Sequence, residues 1–141
     1  NQLSSLMVAD GQDIQAKRYV MEALDLSRST GESDEEAKAL DNLGLIYQAK
    51  LDYTNAMKKF VAALKIRNGI EDHRGLAQSK NNIGKLFFLQ ENTTNAITNL
   101  EEALALRKDI EDKAGAAETN KNLGDVYLFK KIYERRSTGA K

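Results

Sequence analysis

The sequence predicts an all-α fold, an α-solenoid of antiparallel helix–turn–helix repeats, and three observations support this. A tripeptide recurs as Asn42-Leu43-Gly44, Asn82-Ile83-Gly84 and Asn122-Leu123-Gly124, at a constant spacing of 40 residues. The apolar residues within each period follow helical spacing. The 141 residues include no proline, the residue that most often interrupts a helix. A fixed period of this length is typical of repeat architectures.

Many other positions keep the same period without a gap, and their side chains match in size. They are Tyr47, Phe87 and Tyr127; Ala16, Ala56 and Ala96; Ala37, Ala77 and Ala117; and Ala23-Leu24, Ala63-Leu64 and Ala103-Leu104. Because so many matches are in phase, the repeat extends over most of the chain.

Each repeat contains two predicted helices, a helix A and a helix B, joined by a short turn. The apolar stripe of the first complete repeat predicts helix A at about 34–49, a turn at Lys50 to Tyr53, and helix B at about 53–68. The equivalent segments are 74–89, 93–108 and 114–129.

The residues at the predicted helix ends suggest specific caps. Ser33 with Glu36 reads as a capping box, and Gly69 reads as a left-handed stop for the preceding helix. The pairs Glu71-Asp72 and Glu111-Asp112 recur with the period, so capping or solvation explains them better than acid–base chemistry.

Gly44, Gly84 and Gly124 fall in the middle of predicted helices, where glycine costs about 0.5–1 kcal/mol relative to alanine. We therefore expect a close helix–helix contact at each of them. Ala56 and Ala96 are the expected small residues opposite, and the expected large residues are Tyr47, Phe87 and Tyr127.

The chain is predicted to be one repeat domain over residues 1–141. Its parts are a partial repeat at 1–32, complete repeats at 33–72 and 73–112, a truncated repeat at 113–136, and a tail at 137–141. In the partial repeat, residues 11–13 form the expected turn and 13–28 the expected helix B. Solenoids normally end in polar capping helices. Neither end has one, which suggests a piece of a longer protein or, alternatively, edge-to-edge assembly.

Composition excludes several classes of function. The 21 basic and 21 acidic residues give a net charge of zero, which disfavours a nucleic-acid partner. Without cysteine there is no thiolate nucleophile and no cysteine-ligated metal. No apolar run approaches the roughly 20 residues that cross a bilayer. The one histidine, His73, is expected in a solvated loop. The sequence offers no set of nucleophile, base and orienting group that could form a catalytic site. We therefore expect no enzyme activity, no catalytic or metal site, no cofactor and no membrane partner.

The small and large positions resemble the signature of the tetratricopeptide repeat family. They are Leu43, Gly44, Tyr47, Ala56, Phe60 and Ala63 in one unit, and Ile83, Gly84, Phe87, Ala96, Leu100 and Ala103 in the next. The resemblance implies a right-handed α-solenoid. The period of 40 residues differs from the family's usual 34. In this respect the sequence is similar to the spindle-orientation adaptors, kinesin light chains and bacterial signalling regulators of the family.

The resemblance also implies that exposed helix A residues line a concave groove for a partner peptide. The candidate groove residues are Asn42, Asn82, Asn122, Lys38, Gln78, Asn81, Lys85, Lys121, Phe88 and Leu128. An asparagine amide both donates and accepts, so it can bind a peptide backbone; alternatively, these asparagines bond a neighbouring helix. The family's two-carboxylate clamp is not expected, because Asp41 and Glu118 occupy positions where it requires neutral or basic groups.

The predicted function is therefore a non-catalytic protein–protein interaction module of a cytoplasmic scaffold or signalling protein. A self-assembly element that forms homo-oligomers through its uncapped ends is the alternative. A helical-repeat RNA binder is a third possibility, and the acidic residues Asp41, Glu118 and Asp125 count against it.

Overall fold

The structure, a computed structural model, describes the backbone of residues 2–139 and the side chains of residues 11–136. Within that range the chain forms α-helices and no strand. The helices are α1 (Gln2–Thr30), α2 (Ser33–Ala49), α3 (Tyr53–Gly69), α4 (His73–Leu89), α5 (Thr93–Asp109) and α6 (Lys113–Gly139). Their order confirms the predicted fold class, all-α repeats of helix–turn–helix pairs.

The four internal helices have the same length and the same connections. Each of α2, α3, α4 and α5 contains 17 residues. Three-residue turns at 50–52, 70–72 and 90–92 join them, and a fourth turn of the same length, at 110–112, leads to α6. The backbone therefore repeats every half period, and two such halves make the sequence period of 40.

The turns share one backbone conformation at matching positions. Leu51, Glu71, Glu91 and Glu111 have φ values of 64°, 55°, 61° and 58°, in the left-handed region, and Gly31 has 73°. The end of α3 agrees with the predicted stop at Asn68-Gly69, but the left-handed conformation expected of Gly69 is wrong. Gly69 is the last residue of α3, and the left-handed residue is Glu71, two positions later.

The residue after each of the four left-handed positions that are not glycine caps the next helix. The side chains of Asp52, Asp72, Asn92 and Asp112 accept hydrogen bonds from the backbone N–H three residues later, at 2.9–3.3 Å. These bonds satisfy amide groups that have no partner inside the helix. The capping interpretation of Asp72 and Asp112 is thus confirmed.

The predicted capping box at the start of α2 is wrong. Glu32 is the residue before the helix, and its side chain makes no capping bond, while Ser33 is already helical. Glu36 instead accepts a hydrogen bond at 3.1 Å from Arg28 of α1.

Helices α1, α2 and α3 form one compact unit over residues 1–70. Its core lies where α2 packs against its two neighbours, and it consists of Leu24, Ala37, Ala39, Leu40, Leu43 and Ala63. Phe60 of α3 is fully buried and lies on Gly44 of α2. The glycine contact was therefore predicted, but its large partner is Phe60 rather than Tyr47.

Helices α4, α5 and α6 form the second unit, over residues 71–141. Its core includes Ala96, Leu100, Leu123 and Val126. Leu100 of α5 takes the place that Phe60 has in the first unit, and it lies on Gly84. Besides packing on α5, α4 and α6 contact each other, so residues of all three helices meet in this unit.

Both terminal helices are longer than predicted. Helix α1 passes through the turn expected at 11–13, and α6 continues beyond the end expected near residue 129. The capping positions explain why. Asp52 and Asn92 cap the helices that begin after the turns, and the positions in phase with them are Gln12 and Ile132. Isoleucine has no oxygen that can accept the capping bond, so α6 has no signal to begin a new helix. Residues 140–141 of the predicted tail lie outside the described residues.

Candidate functional site: the α4–α6 face of the second unit

Two of the predicted groove residues, Lys38 and Asn42, lie on α2 in the first unit. Both are exposed. The ammonium group of Lys38 is 3.3 Å from the Asp34 carboxylate and 3.6 Å from that of Glu35. The hydrogen bond to Asp34, followed by the two carboxylate charges, raises the pKa of Lys38. Its charge is therefore shared with carboxylates of its own helix.

The other eight predicted residues lie on α4 and α6, where a polar network joins these helices. Asn81 is fully buried. Its amide oxygen accepts from the Thr119 hydroxyl at 3.1 Å and from the Asn122 amide at 3.2 Å. Its amide nitrogen donates to a carboxylate oxygen of Glu118 at 3.0 Å. Asn81 thus holds α4 against α6 and is not available to a ligand.

The centre of the network is Arg107 of α5, which is not among the predicted groove residues. It is buried and donates to the Gly115 carbonyl at 3.0 Å, to the Thr119 hydroxyl at 2.6 Å and to the Gln78 amide oxygen at 2.9 Å. The signal was present in the sequence, because Arg67 and Arg107 recur in phase within an otherwise apolar stripe.

Gln78 connects Arg107 to Asn82 through hydrogen bonds at both ends of its side-chain amide. While its oxygen accepts from Arg107, its amide nitrogen donates to the Asn82 amide oxygen at 2.9 Å. These two bonds fix which end of each amide faces which neighbour. The Asn82 nitrogen donates to no other described residue, and Asn82 keeps 9% of its surface exposed. One oriented N–H donor therefore remains on this face.

The three in-phase asparagines have three different environments. Asn42 is exposed and makes no side-chain hydrogen bond to any residue that the structure describes. Asn82 is oriented by Gln78, and Asn122 donates across to Asn81 on the neighbouring helix. The alternative interpretation, bonding to a neighbouring helix, thus applies to Asn122.

Two of the predicted groove lysines lie on the same pair of helices. Lys85 is exposed, and it forms no ion pair within the described part of the chain. Lys121 is exposed and lies 3.1 Å from Asp125 of its own helix. Exposed pairs of this kind are worth little, about 0.3–0.5 kcal/mol. Of the two predicted lysines, Lys85 is therefore the more available to an acidic ligand.

Apolar surface continues along both helices. Phe88 is half-buried, and its ring meets that of Phe129 edge-on, with centroids 5.5 Å apart. Leu128 is 58% exposed. The Tyr127 hydroxyl donates to Glu101 at 3.2 Å, and desolvation followed by the Glu101 charge raises the pKa of Tyr127.

The first unit has a different polar centre in place of the network. Asp41 of α2 and Arg67 of α3 form a buried ion pair, with 2.5 Å between the guanidinium and carboxylate atoms. In the second unit Asn81 replaces Asp41 in phase. Because that carboxylate is absent in the second unit, Arg107 donates its hydrogen bonds to neutral acceptors on α4 and α6.

Other kinds of site have little support in the described residues. No group of histidine, aspartate and glutamate side chains there is arranged to hold a metal ion. His73 is the exposed first residue of α4, rather than part of a loop. Among the described helices, none combines the length and apolar character needed to cross a membrane.

Comparison with known proteins agrees with this architecture. The sequence model of the tetratricopeptide repeat matches residues 35–109 and 75–134. The crystal structure of BtubC (BKLC) from P. vanneervenii is similar in fold, with a TM-score of 0.75 and 23% sequence identity. The match covers 94% of this chain and 56% of that one. No curated protein sequence matches the chain. Because the repeat model matches well over half of the residues, the chain belongs to the tetratricopeptide repeat family.

Proposed function

We propose that the chain is a non-catalytic protein–protein interaction module, and that the α4–α6 face of the second unit binds an extended segment of a partner protein. Tetratricopeptide repeats generally mediate protein–protein interactions, and the family is typically non-enzymatic. The proposal goes further, because it assigns this role to one face and to particular residues.

The observation that carries the proposal is the pairing of an oriented donor with an available cation. Asn82 and Lys85 are three residues apart on α4, so their side chains lie on neighbouring positions of the helix surface. The Arg107–Gln78–Asn82 chain of hydrogen bonds holds the Asn82 amide before any ligand arrives. A donor that is already oriented loses less conformational entropy on binding.

This arrangement defines the chemistry of the partner segment. The Asn82 amide can donate to a backbone carbonyl without reading a side chain. Lys85, with Lys121 as a second cation, favours an acidic side chain nearby. The exposed Leu128 and half-buried Phe88 favour an apolar residue. We propose a segment that combines acidic and apolar residues, bound by one part of a cytoplasmic scaffold or signalling protein.

The test is a double substitution, Asn82→Ala with Lys85→Ala. Partners are captured with the wild-type chain and identified by mass spectrometry, and affinity is then measured by calorimetry. We expect binding to weaken by about 1–3 kcal/mol while helix content by circular dichroism is unchanged.

A matched control is available on α3. Lys65 and Asn68 are both exposed and are also three residues apart. Lys65→Ala with Asn68→Ala removes the same two side-chain types from a helix B surface, and it should leave affinity unchanged. Equal losses for the two double variants, or no loss for Asn82 with Lys85, would remove this face from the proposal.

A further inference from the structure

The glycine contact that both internal helix pairs make is missing at α6. A Cβ atom added to Gly44 would lie 2.6 Å from Phe60, and one added to Gly84 would lie 2.8 Å from Leu100. A Cβ at Gly124 would meet nothing within 4 Å. The same glycine thus lies against a helix B in two repeats and is uncovered in the third.

A second position on α6 shows the same loss of cover. Ala37 of α2 is fully buried, and Ala117, its in-phase equivalent on α6, is exposed. Each of these helices packs on the helix that precedes it, α2 on α1 and α6 on α5. Within the described residues, α3 follows α2 and packs on it, and α6 is the last helix. The surface exposed at Ala117 and Gly124 is therefore the one that a following helix B covers.

The complementary surface is exposed on α1. The small residues of helix B, Ala56 and Ala63, are fully buried against α2. Their equivalents on α1, Ala16 and Ala23, are exposed. Val20, in phase with Phe60, is only partly buried. Helix α2 packs on one side of α1, where Val20 contacts the core, while the side that carries Ala16 and Ala23 has no helix A of its own repeat on it in the described residues.

We propose that α1 of a second copy packs on the exposed Ala117–Gly124 surface of α6, with Val20 placed on Gly124. The chain contains the template twice, because Phe60 and Leu100 occupy that place on Gly44 and Gly84. An alanine lies four residues earlier in each helix B, and Ala16 supplies it in α1. Gly124 of α6 therefore meets Val20 of α1, and Ala16 of α1 supplies the small residue that each internal helix B has at this contact.

The lengths of the terminal helices fit the same arrangement. Helix α1 has 29 residues and α6 has 27, compared with 17 in each internal helix. At 1.5 Å per residue, each terminal helix extends about 15 Å or more beyond an internal one. The intermolecular pair can therefore be longer than the pairs inside a repeat. Because the two surfaces differ, the contact is heterologous, and a dimer keeps one free α1 surface and one free α6 surface to which further copies can bind.

The test uses two substitutions that each block one surface. Gly124→Arg adds a long side chain where the single chain has open space, and Ala16→Arg changes an exposed alanine on α1. Neither substitution removes a contact of the folded chain. In light scattering over a dilution series up to about 1 mM, we expect the wild-type mass to rise about twofold or more, and each variant to stay monomeric.

Mixing the two variants gives the decisive result. The Ala16→Arg copy keeps its α6 surface and the Gly124→Arg copy keeps its α1 surface, so the mixture should form a 1:1 dimer and nothing larger. Ala105→Arg, on an exposed position of α5, is the control and should assemble like the wild type. A wild-type chain that stays monomeric, or a mixture that fails to dimerise, overturns the proposal. Neither α1 nor the Gly124 surface contributes to the Asn82–Lys85 site, so the two proposals fail independently.

Discussion

The ring of Phe60 lies directly on the backbone of Gly44, closer than any other residue at that position would allow. A Cβ at residue 44 would be 2.6 Å from Cε1 and 2.7 Å from Cδ1 of Phe60. Real Cβ atoms do not approach other carbons this closely, so the Phe60 ring or one of the helices would have to shift. The missing side chain at residue 44 is therefore what leaves room for the ring.

We expect Gly44→Ala to lower the free energy of unfolding by about 1–3 kcal/mol, because the extra methyl group overpacks a buried contact. Gly124→Ala is the matched control. There the added Cβ meets open space, so the better helix propensity of alanine should raise stability by about 0.5–1 kcal/mol. Urea unfolding of dilute protein measures both. Equal effects at the two glycines would contradict the packing account.

These glycines also show how much of the fold the sequence could predict. The period located the helices, and the cost of glycine inside a helix predicted a close contact at Gly44 and Gly84. The partner was assigned to Tyr47 rather than to Phe60. Periodicity places residues on a helix face, but which of two large side chains covers a glycine depends on the angle between the helices, and the sequence does not contain that angle directly.

The lengths of the terminal helices were missed for a different reason. The turn at 11–13 was placed by the period alone. The structure shows a capping oxygen at the third position of four turns, as in Asp52 and Asn92, and glycine at the left-handed position of the turn that has no cap. Ile132 and Gln12 were visible in the sequence. The spacing of 20 residues between successive turns, which identifies these positions as capping positions, does not follow from the 40-residue sequence period.

The sequence predicted candidate groove residues that the structure brings together on α4 and α6, but not the hydrogen bonds that join them. Gln78, Asn81 and Asn82 were selected as groove residues, and all three take part in one network. Their roles depend on Arg107 and Thr119, which come from two other helices. Hydrogen bonds that join three helices require their relative placement, so a pattern along one helix cannot distinguish a ligand contact from a structural one.

We expect Arg67→Met to lower stability by about 3–5 kcal/mol, because the buried Asp41 carboxylate loses the guanidinium that neutralises it. The double variant Asp41→Leu with Arg67→Met replaces both charges by apolar groups and should recover most of this loss. Denaturant unfolding of the two single variants and the double variant gives the coupling energy between them. Losses that simply add would show that the ion pair makes no specific contribution.

The left-handed turn positions give a prediction about backbone strain. Glu91 has a φ of 61°, where residues with a Cβ are strained by about 1–2 kcal/mol and glycine is not. After the larger entropy that glycine loses on folding, Glu91→Gly should still stabilise the protein by about 0.5–1 kcal/mol.

The control for this strain lies on the adjacent helix. Ala105 is an exposed residue inside α5, and Ala105→Gly should destabilise the protein by about 1 kcal/mol. The same substitution type is thus expected to have opposite signs at two exposed positions. Thermal unfolding measures both, and destabilisation by Glu91→Gly would contradict the account.

The cap at the start of α3 makes part of the stability depend on pH. The side-chain hydrogen bond from Asn55, followed by the backbone N–H of the same residue, lowers the pKa of Asp52 from its ordinary value of 3.8. A carboxyl group whose pKa is lower in the folded state favours folding fully above the unfolded value. That contribution should therefore be complete above pH 3.8 and be lost as pH falls through the lower folded pKa.

Two substitutions separate the charge of Asp52 from its capping role. Asn55→Ala removes the larger of the two hydrogen bonds, so the pKa of Asp52 should rise towards 3.8 in a carboxyl titration by NMR. Asp52→Asn should keep the cap, because Asn92 makes the same bond at the start of α5. The neutral amide cannot titrate, so this variant should lose less stability than the wild type between about pH 5 and pH 2. An equal acid sensitivity of the two proteins would assign it to other carboxylates.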